Sequence, residues 1–232
     1  MYQNFRNTAV VLLLVIICSC KKQVEQSEKK VLILGNSMTI HAPNAEIGWY
    51  GNWGMAASSK DKDYVHVLEA RLGMPVIPVN ISAWEGNHKT FDLSTLDSYL
   101  NQNPFVVVIR LGENVQDLSG LNTSLYQMID YIQVKLPKSK ILITGTFWNN
   151  IPVNIVLAQV AKQHNIPFVK LSQLDITENV SFLGATVMSV DGTPYKITNQ
   201  AVAGHPGDLG MERMANEIYL GIESMMQQAI SR

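Results

Sequence analysis

The chain has 232 residues, enough for one domain with a full core. Eighteen Lys and Arg face 19 Asp and Glu, and this near-balance gives no support to nucleic-acid binding, which shows as a basic patch. Both cysteines, Cys18 and Cys20, lie at the N-terminus, so the remainder holds no disulfide framework and no cysteine-based zinc site.

The N-terminus reads as a secretory signal. Arg6 is the only charge before an apolar run, Ala9 to Ile17, which is too short to span a bilayer as a helix. Ile17-Cys18-Ser19-Cys20 resembles a bacterial lipobox, in which a small residue precedes the cysteine that is lipidated after cleavage. Cys20 fits that position, whereas Cys18 follows the bulky Ile17. The expected organisation is a lipoprotein signal over 1–19, a polar, charged tether over 20–29 and one domain over 30–232. Removing 1–19 deletes only Arg6 among the charges and leaves 213 residues with a formal net charge of −2. The expected location is the cell envelope, with the lipid on Cys20 as the one tie to the membrane.

Val31 to Leu34 is a buried strand that runs straight into Gly35-Asn36-Ser37. After a long polar and aromatic loop, acidic residues open a helix at Asp61 and Gly73 closes it. Pro75 to Ile81 is the next strand, Phe91 to Leu100 a helix, and Phe105 to Ile109 a continuous apolar run that suits a strand covered on both faces. Leu121 to Leu136 is helical in period, Lys140 to Gly145 a strand, and Val153 to His164 a helix. Pro167 to Leu171 makes a fifth strand, and a last helix covers Leu209 to Ile230. This alternation predicts an α/β fold, a three-layer α/β/α sandwich around a five-stranded, mainly parallel sheet.

In such sheets the ligand site lies beyond the carboxyl ends of the strands. Gly35-Asn36-Ser37 leaves the first strand and Ser82-Ala83-Trp84-Glu85-Gly86 follows the second. Arg110-Leu111-Gly112-Glu113-Asn114 leaves the third, and Gly204-His205-Pro206-Gly207-Asp208 opens the last helix. A serine, a glycine, an asparagine and a histidine thus stand in order at the positions where chemistry is expected. With these four blocks the sequence resembles the SGNH (GDSL-type) hydrolase superfamily, with its flavodoxin-like fold, over essentially the whole of the domain. Within the blocks two departures stand out. Asn36 replaces the family's usual aspartate, and Val115 stands where an aspartate is common.

The resemblance implies a serine ester hydrolase. A serine hydroxyl is a poor nucleophile until a base takes its proton, and histidine titrates in the useful range. Ser37 is the expected nucleophile and His205 its base. The expected oxyanion donors are the Ser37 and Gly86 N–H groups and the Asn114 side-chain amide, Gly86 being suited to close approach because it has no Cβ. The family's acid stands three residues before the histidine, and here that position is Val202. A Ser-His dyad is therefore expected, with His205 oriented by a backbone carbonyl or by a displaced carboxylate, Asp191 or Asp208.

Trp49, Trp53 and Trp84 are candidate substrate-binding residues, an aromatic wall for a sugar ring or acyl chain; the alternative is that they only hold the long loop onto the sheet. Trp148 after the fourth strand is a further aromatic candidate. His41 reads equally as a substrate contact or a loop histidine. The other histidines show no metal-ligand spacing and no Gly-rich phosphate loop is present, so no metal and no cofactor is expected. The expected substrate is a small-molecule or glycan ester, with acetyl the preferred acyl group. The rivals are a lysophospholipase or thioesterase acting on longer chains, and a catalytically degenerate glycan-binding lipoprotein.

Overall fold

The structure, a computed structural model, describes residues 29–230. The signal over 1–19, Cys20 and all of the tether except Lys29 lie outside the described residues. Five parallel strands form the central sheet: β1 (Val31–Gly35), β2 (Val76–Asn80), β3 (Val106–Ile109), β4 (Lys140–Thr144) and β5 (Phe168–Val169), in the order β2-β1-β3-β4-β5. This is the α/β architecture expected from the sequence. β1 and β3, two of the three interior strands, are fully buried, which is why both read as unbroken aliphatic runs. Pro78 sits inside β2, where it is tolerated because β2 is an edge strand and a missing N–H breaks no ladder beyond it.

Alternate residues of β1 divide the core. Val31 and Ile33 face a layer built by α1 (Tyr64–Leu72), the loop carrying Trp49 and Trp53, and α7 (Asp208–Ile230). Leu32 and Leu34 face the opposite layer of α2 (Ser82–Asn87), α3 (Asp97–Leu100), α4 (Leu121–Lys135) and α5 (Ile151–Gln163). Each fully buried aliphatic or aromatic side chain in these layers contributes roughly 1.5–3 kcal/mol.

Local signals set the helix ends. The α1 cap is Asp63, whose carboxylate accepts from His66 N, and Gly73 ends the helix in the left-handed region at φ 62°. Helix α1 therefore starts later than Asp61, since 60–62 form a single 3-10 turn before the cap. The segment expected as a helix over Phe91 to Leu100 is split into a 3-10 turn, Leu93–Leu96, and α3. The strand expected over Pro167 to Leu171 pairs through only two residues. Between β5 and the last helix the chain adds an antiparallel hairpin, β6 (Thr186–Met188) and β7 (Pro194–Lys196), and a one-turn helix, α6 (Gln200–Ala203).

The chain passes from β1 outward to β2 and then returns to β3 on the other side. The crevice beyond the carboxyl ends of β1 and β3 is thus the switch point of the sheet, where such folds place their ligands.

Candidate active site

Gly35 ends β1 and the chain folds back at once. A Cβ at this position would stand 1.9 Å from Thr39 Oγ1, so close approach, not an unusual φ, demands glycine here. The turn is closed by Thr39 N donating to Asn36 O at 2.9 Å and by Met38 N donating to Asn36 Oδ1 at 3.2 Å. The Ser37 N–H between them has no hydrogen-bond partner among the described residues.

Ser37 Oγ lies 2.9 Å from His205 Nε2, across 168 residues of sequence. His205 Nδ1 lies 2.8 Å from the Ala201 carbonyl oxygen in α6. A carbonyl can only accept, so Nδ1 carries the proton and Nε2 presents its lone pair to the serine hydroxyl. That is the tautomer a general base needs. Trp148 sets its ring edge-on against the imidazole, with centroids 5.1 Å apart, and its Nε1 donates to Gly204 O at 3.0 Å. Burial pushes the His205 imidazole down to about 4; the Ala201 carbonyl opposes that shift, and the positive charge of Arg110 adds to it. The ring is therefore neutral at pH 7.

Neither candidate acid reaches His205. Asp191 lies in the exposed β6–β7 turn, where its carboxylate accepts from Ser189 Oγ and from Thr193 N. Asp208 opens α7 and accepts from Ser58 N and Ser58 Oγ, both at 2.7 Å. Val202 is fully buried, its carbonyl accepts from His205 N, and its side chain carries no group that could hold the ring. The displaced-carboxylate alternative is thus corrected, and the main-chain carbonyl holds the ring.

Beneath the serine runs a buried polar network that the sequence reading did not include. Asn36 Nδ2 donates to Glu113 Oε2 at 2.9 Å and to Glu85 Oε1 at 3.1 Å, while Asn36 Oδ1 accepts from Arg110 Nη1 at 2.8 Å. Arg110 also pairs with Glu113 Oε1 at 2.8 Å, with both side chains at most 1% exposed. Glu113 Oε1 in turn accepts from Phe147 N at 2.8 Å, which fixes the approach to Trp148. Burial pushes the Glu85 carboxyl above its usual range and the neighbouring Glu113 charge adds to this, against hydrogen bonds from Asn114, Gly112 and Asn36. The one signal in the sequence was Arg110 itself, a charge directly after a buried strand with a carboxylate three residues on.

Asn114 is exposed at the crevice, and its Nδ2 donates to Glu85 Oε2 at 2.6 Å. An amide nitrogen has two protons, so one is left for a ligand. Gly112, just before it, takes φ +131° with side-chain atoms of Val153 and Thr146 within 3 Å of where a Cβ would stand, so no other residue fits this turn.

Gly86 departs from expectation. It is the fifth residue of α2, where a helical N–H turns back toward the carbonyl four residues earlier. It is exposed, with nothing within 4 Å of a Cβ, so no protein neighbour demands the glycine. The residue that α2 turns inward is Glu85.

The three candidate substrate tryptophans are also corrected, because all are buried. Trp49 and Trp53 meet edge to face at 5.9 Å and donate their Nε1 protons to His41 O and Ala57 O, fixing the loop on the sheet. Trp84 lies in the opposite core layer beside His88. Only Trp148, half-buried, reaches the dyad, and it borders an open cleft shared with Glu113, Asn149, Asn150, Ile151, Pro152 and Asp175.

Sheet order, switch-point crevice and strand-end loops together define the α/β fold of the SGNH hydrolases. The chain resembles the structure of a G-D-S-L family protein from Desulfitobacterium hafniense DCB-2, with a TM-score of 0.53, 14% identity, and coverage of 83% of this chain and 99% of that one. It resembles a family 3 carbohydrate esterase from Clostridium thermocellum at a TM-score of 0.53 and 19% identity, covering 87% and 98%. A family two carbohydrate esterase from the same organism, solved with cellohexaose, matches at a TM-score of 0.52 and 16% identity, covering 86% of this chain and 65% of that one. No family model and no curated protein matches the sequence.

Proposed function

We propose that this chain is a serine ester hydrolase that removes small acyl groups, acetyl foremost, from carbohydrate. The observation that carries the proposal is the Ser37 Oγ–His205 Nε2 contact of 2.9 Å, with Nδ1 held by the Ala201 carbonyl. His205 takes the Ser37 proton as the hydroxyl attacks the ester carbonyl, forming a tetrahedral oxyanion. The free Ser37 N–H and the second Asn114 amide proton receive that charge. The alcohol leaves with the proton from His205, and water, activated by the same imidazole, releases the acid and restores the serine.

The choice of carbohydrate rests on the cleft beside the dyad. Its lining combines an aromatic ring, Trp148, with the amides of Asn149 and Asn150 and the Asp175 carboxylate, a mixture suited to a sugar more than to a long alkyl chain. Fold neighbours described as carbohydrate esterases are consistent with this reading. We also propose that a lipid on Cys20 anchors the chain in the cell envelope.

Release of acetate from acetylated polysaccharides, with Ser37→Ala as control, tests the reaction. Activity that rises from acetyl to octanoyl esters replaces the deacetylase reading with the lysophospholipase or thioesterase one. Failure of a fluorophosphonate to label Ser37, with glycan binding retained, replaces it with the degenerate binding protein. Incorporation of labelled palmitate, lost in Cys20→Ala, tests the anchor.

A further inference from the structure

We propose that Glu85 is a positioning residue, whose buried carboxylate grips the Asn114 amide and aims it at the oxyanion of the Ser37 reaction. The inference rests on the ester-hydrolase reading and assigns the geometry of its oxyanion hole to a residue other than the serine, glycine, asparagine and histidine of the four blocks.

Three chain segments converge on this carboxylate. Oε2 accepts from Asn114 Nδ2 at 2.6 Å. Oε1 accepts from Gly112 N at 2.6 Å, from Asn36 Nδ2 at 3.1 Å and from Asn114 N at 3.4 Å. The turn after β1, the turn after β3 and helix α2 are thereby tied at one point, 1% exposed. Among the described residues Asn114 has no other side-chain hydrogen bond. An exposed asparagine amide otherwise rotates through a broad torsional well and turns either its oxygen or its nitrogen inward. An ionised carboxylate only accepts, so only Nδ2 can face it, and the direction of the second amide proton follows.

Ionisation of Glu85 is therefore part of the device. The groups facing it are Glu113, whose charge opposes ionisation, and the amides of Asn36, Asn114 and Gly112, which favour it; Arg110 is held one step away, on Asn36 and Glu113. Protonation would place a hydroxyl where Asn114 needs an acceptor and would release the amide.

Glu85→Gln keeps the shape, leaves an oxygen for Gly112 N, and sets an amide nitrogen against Asn114 Nδ2. The test is a double-mutant cycle on p-nitrophenyl acetate hydrolysis, with Asn114→Ala as the second variant and circular dichroism as the check of folding. Asn114→Ala is expected to lower kcat by ~10²–10³-fold, as for other lost oxyanion donors. Glu85→Gln is expected to lower kcat by at least about tenfold with little change in KM, and to cost less than about twofold in the Asn114→Ala background, because two parts of one linkage do not add. The wild type should also lose kcat on acidification at a higher pH than Asn114→Ala does. Losses that multiply, a Glu85→Gln kcat equal to wild type, or identical acid limbs in wild type and Asn114→Ala overturn the proposal. The pH comparison needs no Glu85 variant, so it decides even if Glu85→Gln fails to fold. Activity surviving in Ser37→Ala would instead overturn the ester-hydrolase reading itself.

Discussion

Asn36 Oδ1 accepts the Arg110 guanidinium at 2.8 Å, one residue before the serine. The other end of the same side chain donates to Glu113 and Glu85. Aspartate, usual in the family at this position, could satisfy Arg110 but not the two carboxylates. Asn36→Asp would place a third buried acid about 3 Å from both. The expected loss is about 3–5 kcal/mol of folding stability at pH 8, as for other uncompensated buried charges. The loss should shrink as pH falls, because a proton shared in the cluster removes the added charge; urea unfolding at several pH values measures both.

Orientation of His205 by Ala201 predicts that carboxylates nearby are dispensable for chemistry. Asp191→Asn and Asp208→Asn should each keep kcat within about twofold of wild type, whereas Ser37→Ala and His205→Ala should each lose ~10³-fold or more. Asp208→Asn should cost about 1 kcal/mol of stability through its Ser58 contacts, without a change in KM.

The low proton affinity of His205 makes stability depend on pH. Burial holds the ring at about 4 in the folded chain, against 6.5 for a free histidine. The unfolded chain thus takes up the proton first on acidification. This contribution to stability is full above pH 6.5 and is lost progressively toward pH 4, up to about 3 kcal/mol. His205→Ala should lack that component, so its stability should fall less than that of wild type over this interval in thermal or urea unfolding.

Trp49 and Trp148 should separate scaffold from site. Trp49→Ala opens a cavity in the core and should cost about 3–5 kcal/mol, with normal KM in the protein that folds. Trp148→Ala removes the ring against His205 and should lower kcat by about tenfold or more through misplacement of the base. Steady-state kinetics beside melting curves distinguish the two.

The central sheet was legible because its interior strands are covered on both faces, and total burial leaves an aliphatic run that no other role explains. The β6–β7 hairpin was not, since only one residue of its two three-residue strands is buried and they carry no periodic signal. Ser37 and His205 were readable from their places at a strand exit and a helix start. Glu85 was not, because its partners Asn36 and Asn114 are 49 and 29 residues away and its burial depends on α2 turning it inward. The tryptophans misled for a related reason: an aromatic loop beside a nucleophile looks the same in sequence whether its indoles face solvent or the sheet.

In the commoner arrangement a single nucleotide change can abolish the partner of the catalytic ring. Here that partner is an oxygen every amino acid possesses, so altering the side chain at 201 leaves it in place. Damage must come through chain geometry, for instance a proline that unwinds the single turn of α6. The support given to the base is thus shielded from ordinary substitution, and it leaves no mark that comparing residue identities would detect.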